Sequence, residues 1–216
     1  MKRFIQSLSL AAMAAFLLAG SLWACNSNKA TDKTTTLKEA LPAPVVVKND
    51  SAKVVALSLK IMEAIKSRDY ATLSTFVHDS LGVRFSPYAY VDTTFHALIY
   101  KDLLANAKSY KKTVSWGSYD GSGKKIDLTV GDYFTKFVWD KNYLAAEKMG
   151  FNRSFAKGNA ANNLAQTYPN CVFTEFYFSG ADKKYEGKDW SALRLVFKTE
   201  GAEYFLVGVI HDQWTS

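Results

Sequence analysis

Cysteine, histidine and proline are scarce in this chain, at two, three and four residues of 216. Cys25 and Cys171 could form one bridge at most, so no disulfide framework holds the fold and stability must come from a core. Cys171 opens an apolar run and reads as a small buried hydrophobe, with no flanking His to activate its thiolate. His78, His96 and His211 stand too far apart for metal-ligand spacing, so no metal is expected. Phosphate-binding loop, dinucleotide fingerprint, nucleophile elbow and zinc motif are all missing, and no cofactor is implied. Asp120-Gly121-Ser122-Gly123 resembles a calcium loop only at its glycines. With Gly123 as the loop glycine, Ser118 occupies the first position, which needs an acid. Charge of one sign is not concentrated either. The net +7 is scattered, and the lysine pairs at 111–112, 124–125 and 183–184 lie in turn-like stretches. Without a basic stripe, nucleic acid is not expected as a partner. Mild surface charge leaves acidic lipid or cell-wall polymer compatible.

The first fifty residues have a different composition from the rest. Lys2 and Arg3 precede a nearly apolar run, Phe4–Leu18, which is too short and too interrupted for a good membrane span. A charged start, an apolar centre and small residues before a cut describe an export signal. Leu22, Ala24 and Cys25 resemble the lipobox of a bacterial lipoprotein, in which the cysteine is lipidated. Trp23 stands where that pattern has a small residue. The rival is ordinary secretion, with cleavage after Ser21 and Ala19 and Ser21 as the small pair. Residues 1–24 are therefore read as a signal peptide and 25–50 as a lipidated cysteine and tether. Residues 26–50 lack aromatics and cannot bury enough apolar surface to offset their ordering entropy. As a flexible coil this tether reaches roughly 25–30 Å. Membrane lipid through Cys25 is the expected attachment, and the cell envelope the expected location.

Residues 51–216 read as one domain. Val54, Leu57, Ile61 and Ile65 recur at helical spacing over 51–67. Asp69 can cap a second short helix. Residues 82–91 are extended, with Pro87 restricting them to an edge strand or loop. A short strand at 95–100, a short helix at 101–108 and an extended piece at 113–119 follow. Thr129 with Asp132 forms a capping-box variant before a helix to Trp139, and a further helical turn or two is expected over 140–149. Residues 158–166 suggest another short helix, where Asn162 and Asn163 suit capping or surface roles better than ligand binding. Residues 171–179 alternate as a strand. Helices followed by mostly antiparallel strands make an α+β plan.

The chain ends in a hairpin, residues 189–215, closing in His211-Asp212-Gln213-Trp214. A turn at 199–202 pairs Lys198 with Glu203, Arg194 with Val207 and Trp190 with His211. Arg194, Val196, Val207, Val209 and His211 then share one face, a mixed wall of the sort a ligand pocket needs, with Trp214 at the rim. His211 and Asp212 are candidate acid–base groups, but alternation sends neighbours to opposite faces, so they form no simple dyad. Glu175, an acid within an apolar strand, is expected on the wet face, and is a third catalytic candidate if buried. Tyr88, Tyr90 and Trp116 are aromatic candidates for a pocket or for the core.

The helix ending AIKSRDYATLSTFV, then GVRF, then LRLVF and YFLVGVI, resembles the nuclear transport factor two-like (SnoaL-like) superfamily in layout. WGSYDGSG with VGVIHDQWT also resembles uncharacterised bacterial lipoproteins. The first resemblance implies a cone-like, cystatin-like layout: N-terminal helices packed on a curved, mainly antiparallel sheet around a pocket. It also implies isomerase or dehydratase chemistry as an option, since ketosteroid isomerase and scytalone dehydratase use Asp, His or Tyr in the cone. Three functions follow as expectations. The first is an envelope-anchored domain that binds a small molecule or envelope protein without catalysis. The second is a small isomerase, dehydratase or hydrolase using His211, Asp212 or Glu175. The third is a structural component of an envelope complex.

Overall fold

The computed structural model describes residues 50–215 apart from Asn159 and Ala181. The expected signal peptide, the lipidation at Cys25 and the tether up to residue 49 lie outside the described residues. Helix α1 (Ser51–Ser67) buries Val54, Ile61, Met62 and Ile65, the stripe its spacing requires. Arg68 ends it in a left-handed conformation, φ 56°. Asp69 then caps α2 (Tyr70–Thr75), accepting from the Thr72 N–H at 3.0 Å. The short elements that follow are β1 (Val83–Ser86), β2 (Leu98–Ile99) and α3 (Lys101–Ala105). The ribbon β3 (Val114–Ser118) and β4 (Lys125–Leu128) comes next.

Thr129 caps α4 (Val130–Tyr133), accepting from Asp132 N–H at 3.2 Å, and a π-helical turn runs on over Phe134–Val138. Over 140–149 the expected helical turns are reduced to a 3₁₀ turn at Tyr143–Ala145, after which the chain enters β5 (Lys148–Phe151). The expected 158–166 helix is reduced to α5 (Leu164–Thr167). Three long strands finish the chain: β6 (Cys171–Phe178), β7 (Ser191–Glu200) and β8 (Glu203–Gln213).

The main sheet runs β2-β1-β8-β7-β6-β5, antiparallel throughout except for the parallel pair β1–β8. The α+β class, with helices against one curved and mainly antiparallel sheet, is as expected. Helices α1 to α4 and the β3–β4 ribbon pack on what we call the inner face, where Leu193, Leu195, Phe197 and Val209 join the main core. Across this interface the Ser58 hydroxyl of α1 meets the Thr174 hydroxyl of β6 at 2.8 Å, so two buried polar groups satisfy each other. The outer face carries a second, smaller cluster of Val91, Leu164, Val196, Val207 and Ile210. Residues from the 152–170 segment lie over this face. Two glycines make room for them. A Cβ on Gly150 would sit 2.5 Å from the Arg153 carbonyl oxygen, and one on Gly208 would sit 2.9 Å from the Tyr168 hydroxyl.

The hairpin register differs from the expected one. The turn is tighter, with Glu200 opposite Glu203, so Lys198 pairs with Phe205. That shift of two residues preserves the faces. A bulge then leaves Val207 without a partner between Phe197↔Leu206 and Val196↔Gly208. The extra residue makes the shift odd beyond it, and an odd shift moves every side chain to the other face. Arg194 is opposite Ile210, and His211 is opposite Leu193. The expected wall containing both Arg194 and His211 does not form.

Candidate functional site

The bulge distributes the candidate residues into two buried clusters on opposite faces. On the outer face, Glu175 pairs across strands with Arg194. Arg194 Nε donates to Glu175 Oε2 at 2.6 Å, and its Nη2 donates to Asp212 Oδ2 at 2.7 Å and to the Ser154 hydroxyl at 3.1 Å. Ser154 in turn donates to Glu175 at 2.6 Å, while the Phe155 and Ala156 N–H groups cap the other carboxylate oxygen. Glu175 is fully buried, not on a wet face, and Arg194 and Asp212 are almost so. Such an acid–base–acid set holds its charges only because each is paired and hydrogen-bonded. Burial pushes the Asp212 carboxyl above its ordinary range, and the Arg194 guanidinium offsets part of that rise.

On the inner face, the buried His211 imidazole reaches the Pro87 carbonyl through Nδ1 at 3.0 Å and packs edge-on to Phe137. Its Nε2 lies 3.5 Å from Asp140, whose side chain keeps 21% of its surface exposed. The Tyr143 hydroxyl lies 2.9 Å from Asp140 and 2.7 Å from the Ser191 hydroxyl. Burial alone would raise the Asp140 carboxyl, but His211 and Tyr143 outweigh it and hold the pKa below the usual value. Asp140, Tyr143, Ser191 and Ser154 had no local pattern to mark them; each reaches its cluster from a distant part of the chain.

The two aspartates give opposite pH signatures. A carboxyl raised on folding makes the folded state bind more protons, so stability falls as pH rises from about 4. A carboxyl lowered on folding makes stability fall as pH drops below about 4. Asp212→Asn is expected to flatten the first slope and Asp140→Asn the second, measured as melting temperature across pH 2–7. Slopes that fail to separate in this way would reject the two assignments.

The aromatic candidates separate as well. Trp116 is fully buried, stacked on Tyr133 at 3.9 Å, and donates from Nε1 to the Leu128 carbonyl at 3.0 Å. Phe85, Phe134 and Phe137 complete this interior packing. Tyr88 and the exposed Tyr90 line a shallow surface hollow of about 230 Å³ with Phe95 and His96. Trp214 sits at another edge with Lys188 Nζ 5.5 Å from its ring centre. Asn163 brackets Val91 with two hydrogen bonds, of 2.8 and 3.0 Å, and Asn162 caps Leu164, so both have structural roles. Among the described residues no group of His, Cys, Asp and Glu is placed to hold a metal.

A larger open groove, of about 430 Å³, lies where the outer face emerges from under the 152–170 segment. Arg84 of β1, Lys198 of β7, Cys171 of β6 and Tyr168 line it, with the exposed Leu81 and Tyr100 at its edge. None of these was singled out by sequence as a ligand group. Arg84 follows from the alternation of residues 82–91, which puts it opposite Val83 and Phe85.

No family model matches the chain, and no curated protein does. Solved structures do show likeness. The protein Aln2 from a Streptomyces species is 10% identical, covers 80% of this chain and 93% of its own, and has a TM-score of 0.33. A putative calcium/calmodulin dependent protein kinase II association domain from Xanthomonas campestris is also 10% identical, covers 81% and 91%, and has a TM-score of 0.32. A designed nuclear transport factor two-like protein is 9% identical, covers 76% and 97%, and has a TM-score of 0.29. Likeness at this level says nothing about ligand or reaction; those have to come from the residues of this chain.

Proposed function

We propose that this chain is a tethered binding domain of the bacterial envelope, attached by lipid on Cys25, and that it engages its ligand at the surface without turning it over. The observation that carries the binding half is where the space lies. Trp116, Tyr133, Phe134, Phe137 and Phe85 fill the interior between helices and sheet, while an open groove of ligand size remains on the outer face. The acid–base candidates support the same reading. Glu175 and Asp212 are engaged with Arg194, and His211 faces Pro87, Phe137 and Asp140. None of the three lines the outer groove.

The anchoring half rests on Leu22, Ala24 and Cys25 after a charged and apolar leader. Growth of a bacterial host with an alkyne fatty acid is expected to label the wild-type chain and leave Cys25→Ala unlabelled. An unlabelled wild-type chain recovered from the medium would favour plain secretion and remove the anchor. Turnover lost in a folded His211→Asn variant would remove the non-catalytic half.

A further inference from the structure

We infer that the outer-face groove is a binding site for a small amphipathic anion: one acidic head on an apolar body. This deepens the surface-binding reading and rests on it. Three features of the groove define the chemistry. The first is uncompensated positive charge. Arg84 donates from Nη1 to the His96 carbonyl at 2.6 Å, but neither Arg84 nor Lys198 has a carboxylate partner among the described residues. Of the carboxylates in the neighbouring turns, Asp79 is paired with Lys101 and Glu200 points to His78 at 3.5 Å. No acidic side chain lines the groove.

The second feature is the Tyr168 hydroxyl. It is buried over Gly208 and has no hydrogen-bond partner. Burial pushes its pKa up to about 12, so it is a neutral O–H donor at any ordinary pH. An unpaired buried hydroxyl is costly, so a ligand acceptor that draws the Tyr168 side chain from its seat over Gly208 into the groove recovers that cost. The third feature is the apolar edge. Leu81 and Tyr100 are about half exposed here, and Val207 and Pro169 complete an apolar surface beside the cations. Isolated exposed side chains need no explanation, but apolar surface next to two unpaired cations matches a molecule with both characters. The bulge at Val207 belongs to this wall, so the distortion that separates Arg194 from His211 also shapes the groove.

The test uses the full chain bearing Cys25→Ser and isothermal titration with 2-naphthoate. Its controls are 2-naphthalenemethanol for the body alone and inorganic phosphate for the head alone. Naphthoate is expected to bind about tenfold or more tighter than either control, since a charge-assisted contact contributes at least that factor. Lys198→Met should weaken naphthoate about tenfold and leave the alcohol unchanged. Tyr168→Phe should weaken naphthoate several-fold (roughly the worth of one hydrogen bond) while leaving the unliganded protein as stable or more so. A purely structural tyrosine would show the reverse. Equal affinity for acid and alcohol, or a Lys198→Met variant that binds naphthoate as well as wild type, overturns the inference. Phosphate binding as tightly as naphthoate overturns the amphipathic class. A chain lipidated at Cys25 that ignores naphthoate retains its tethered role and loses this ligand; an unlipidated chain that binds it has the opposite outcome.

Discussion

Arg194→Met is expected to lower the unfolding free energy by about 3–5 kcal/mol, the cost of leaving a buried carboxylate without its cation. The side chain lies between Glu175 at 2.6 Å and Asp212 at 2.7 Å, all three groups having almost no contact with solvent. Methionine fills similar volume, so packing is largely kept and the loss is electrostatic. Glu175 would retain its Ser154 hydroxyl and two backbone N–H donors, which limits the cost. Asp212 would lose the guanidinium paired with it, and its carboxyl, already raised by burial, would rise further. Arg194→Lys should recover part of the loss, because an ammonium can meet one acid but cannot present the planar fork that bridges two. Adding Glu175→Gln and Asp212→Asn to Arg194→Met should also recover stability, since removing every charge avoids the desolvation cost. Urea unfolding of these variants beside the wild type separates the effects. A loss below about 1 kcal/mol for Arg194→Met would mean that water reaches the cluster and that the pair behaves as a surface ion pair.

That cluster also shows where sequence reasoning holds and where it fails. Helix α1 is legible because Val54, Ile61 and Ile65 repeat at the helical period, and the caps at Asp69 and Thr129 are read from two or three adjacent residues. Strand β6 alternates cleanly, with Val172 and Phe176 inward and Phe173 and Glu175 outward. Local signals suffice for such elements. The hairpin needs more. Its strands are obvious, yet the faces depend on the parity of one register, and the unpaired Val207 changes that parity without any mark in the sequence. A valine suits a bulge and a regular ladder equally well in composition.

Glu175 is misjudged for a related reason. Nothing near it in sequence announces that Ser154 and the N–H groups of Phe155 and Ala156 fold over it. The enabling residue is Gly150, whose missing side chain admits that turn. Strand β5 itself is obscured because KMGF contains a glycine and a lysine where strand formers are expected. The groove residues come from three stretches of the chain, Arg84, Tyr168 with Cys171, and Lys198, so only the folded sheet brings them together.

Trp116→Ala carries the second large effect, about 3–5 kcal/mol of lost stability, and it decides whether the interior is core or pocket. An aromatic side chain that merely lined an open ligand space would be truncated at modest cost to folding. Here Trp116 is stacked on Tyr133, edge-on to Phe85, and bonded through Nε1 to the Leu128 carbonyl. Truncation removes all three contacts and leaves that carbonyl without its indole donor. The rings of this cluster belong to separate elements, β1, β3, α4 and the π-helical turn, so they cannot all close on the vacancy. The vacancy should therefore persist as an apolar cavity, and such cavities stay dry and accept small aromatic molecules. Added indole should raise the melting temperature of Trp116→Ala and leave that of the wild type unchanged. Indole stabilising the wild type equally would show an interior already open to ligands, and the outer groove would then be one of two binding sites. With rescue confined to the variant, the tryptophan itself fills the space between helices and sheet, and that space is core and not pocket.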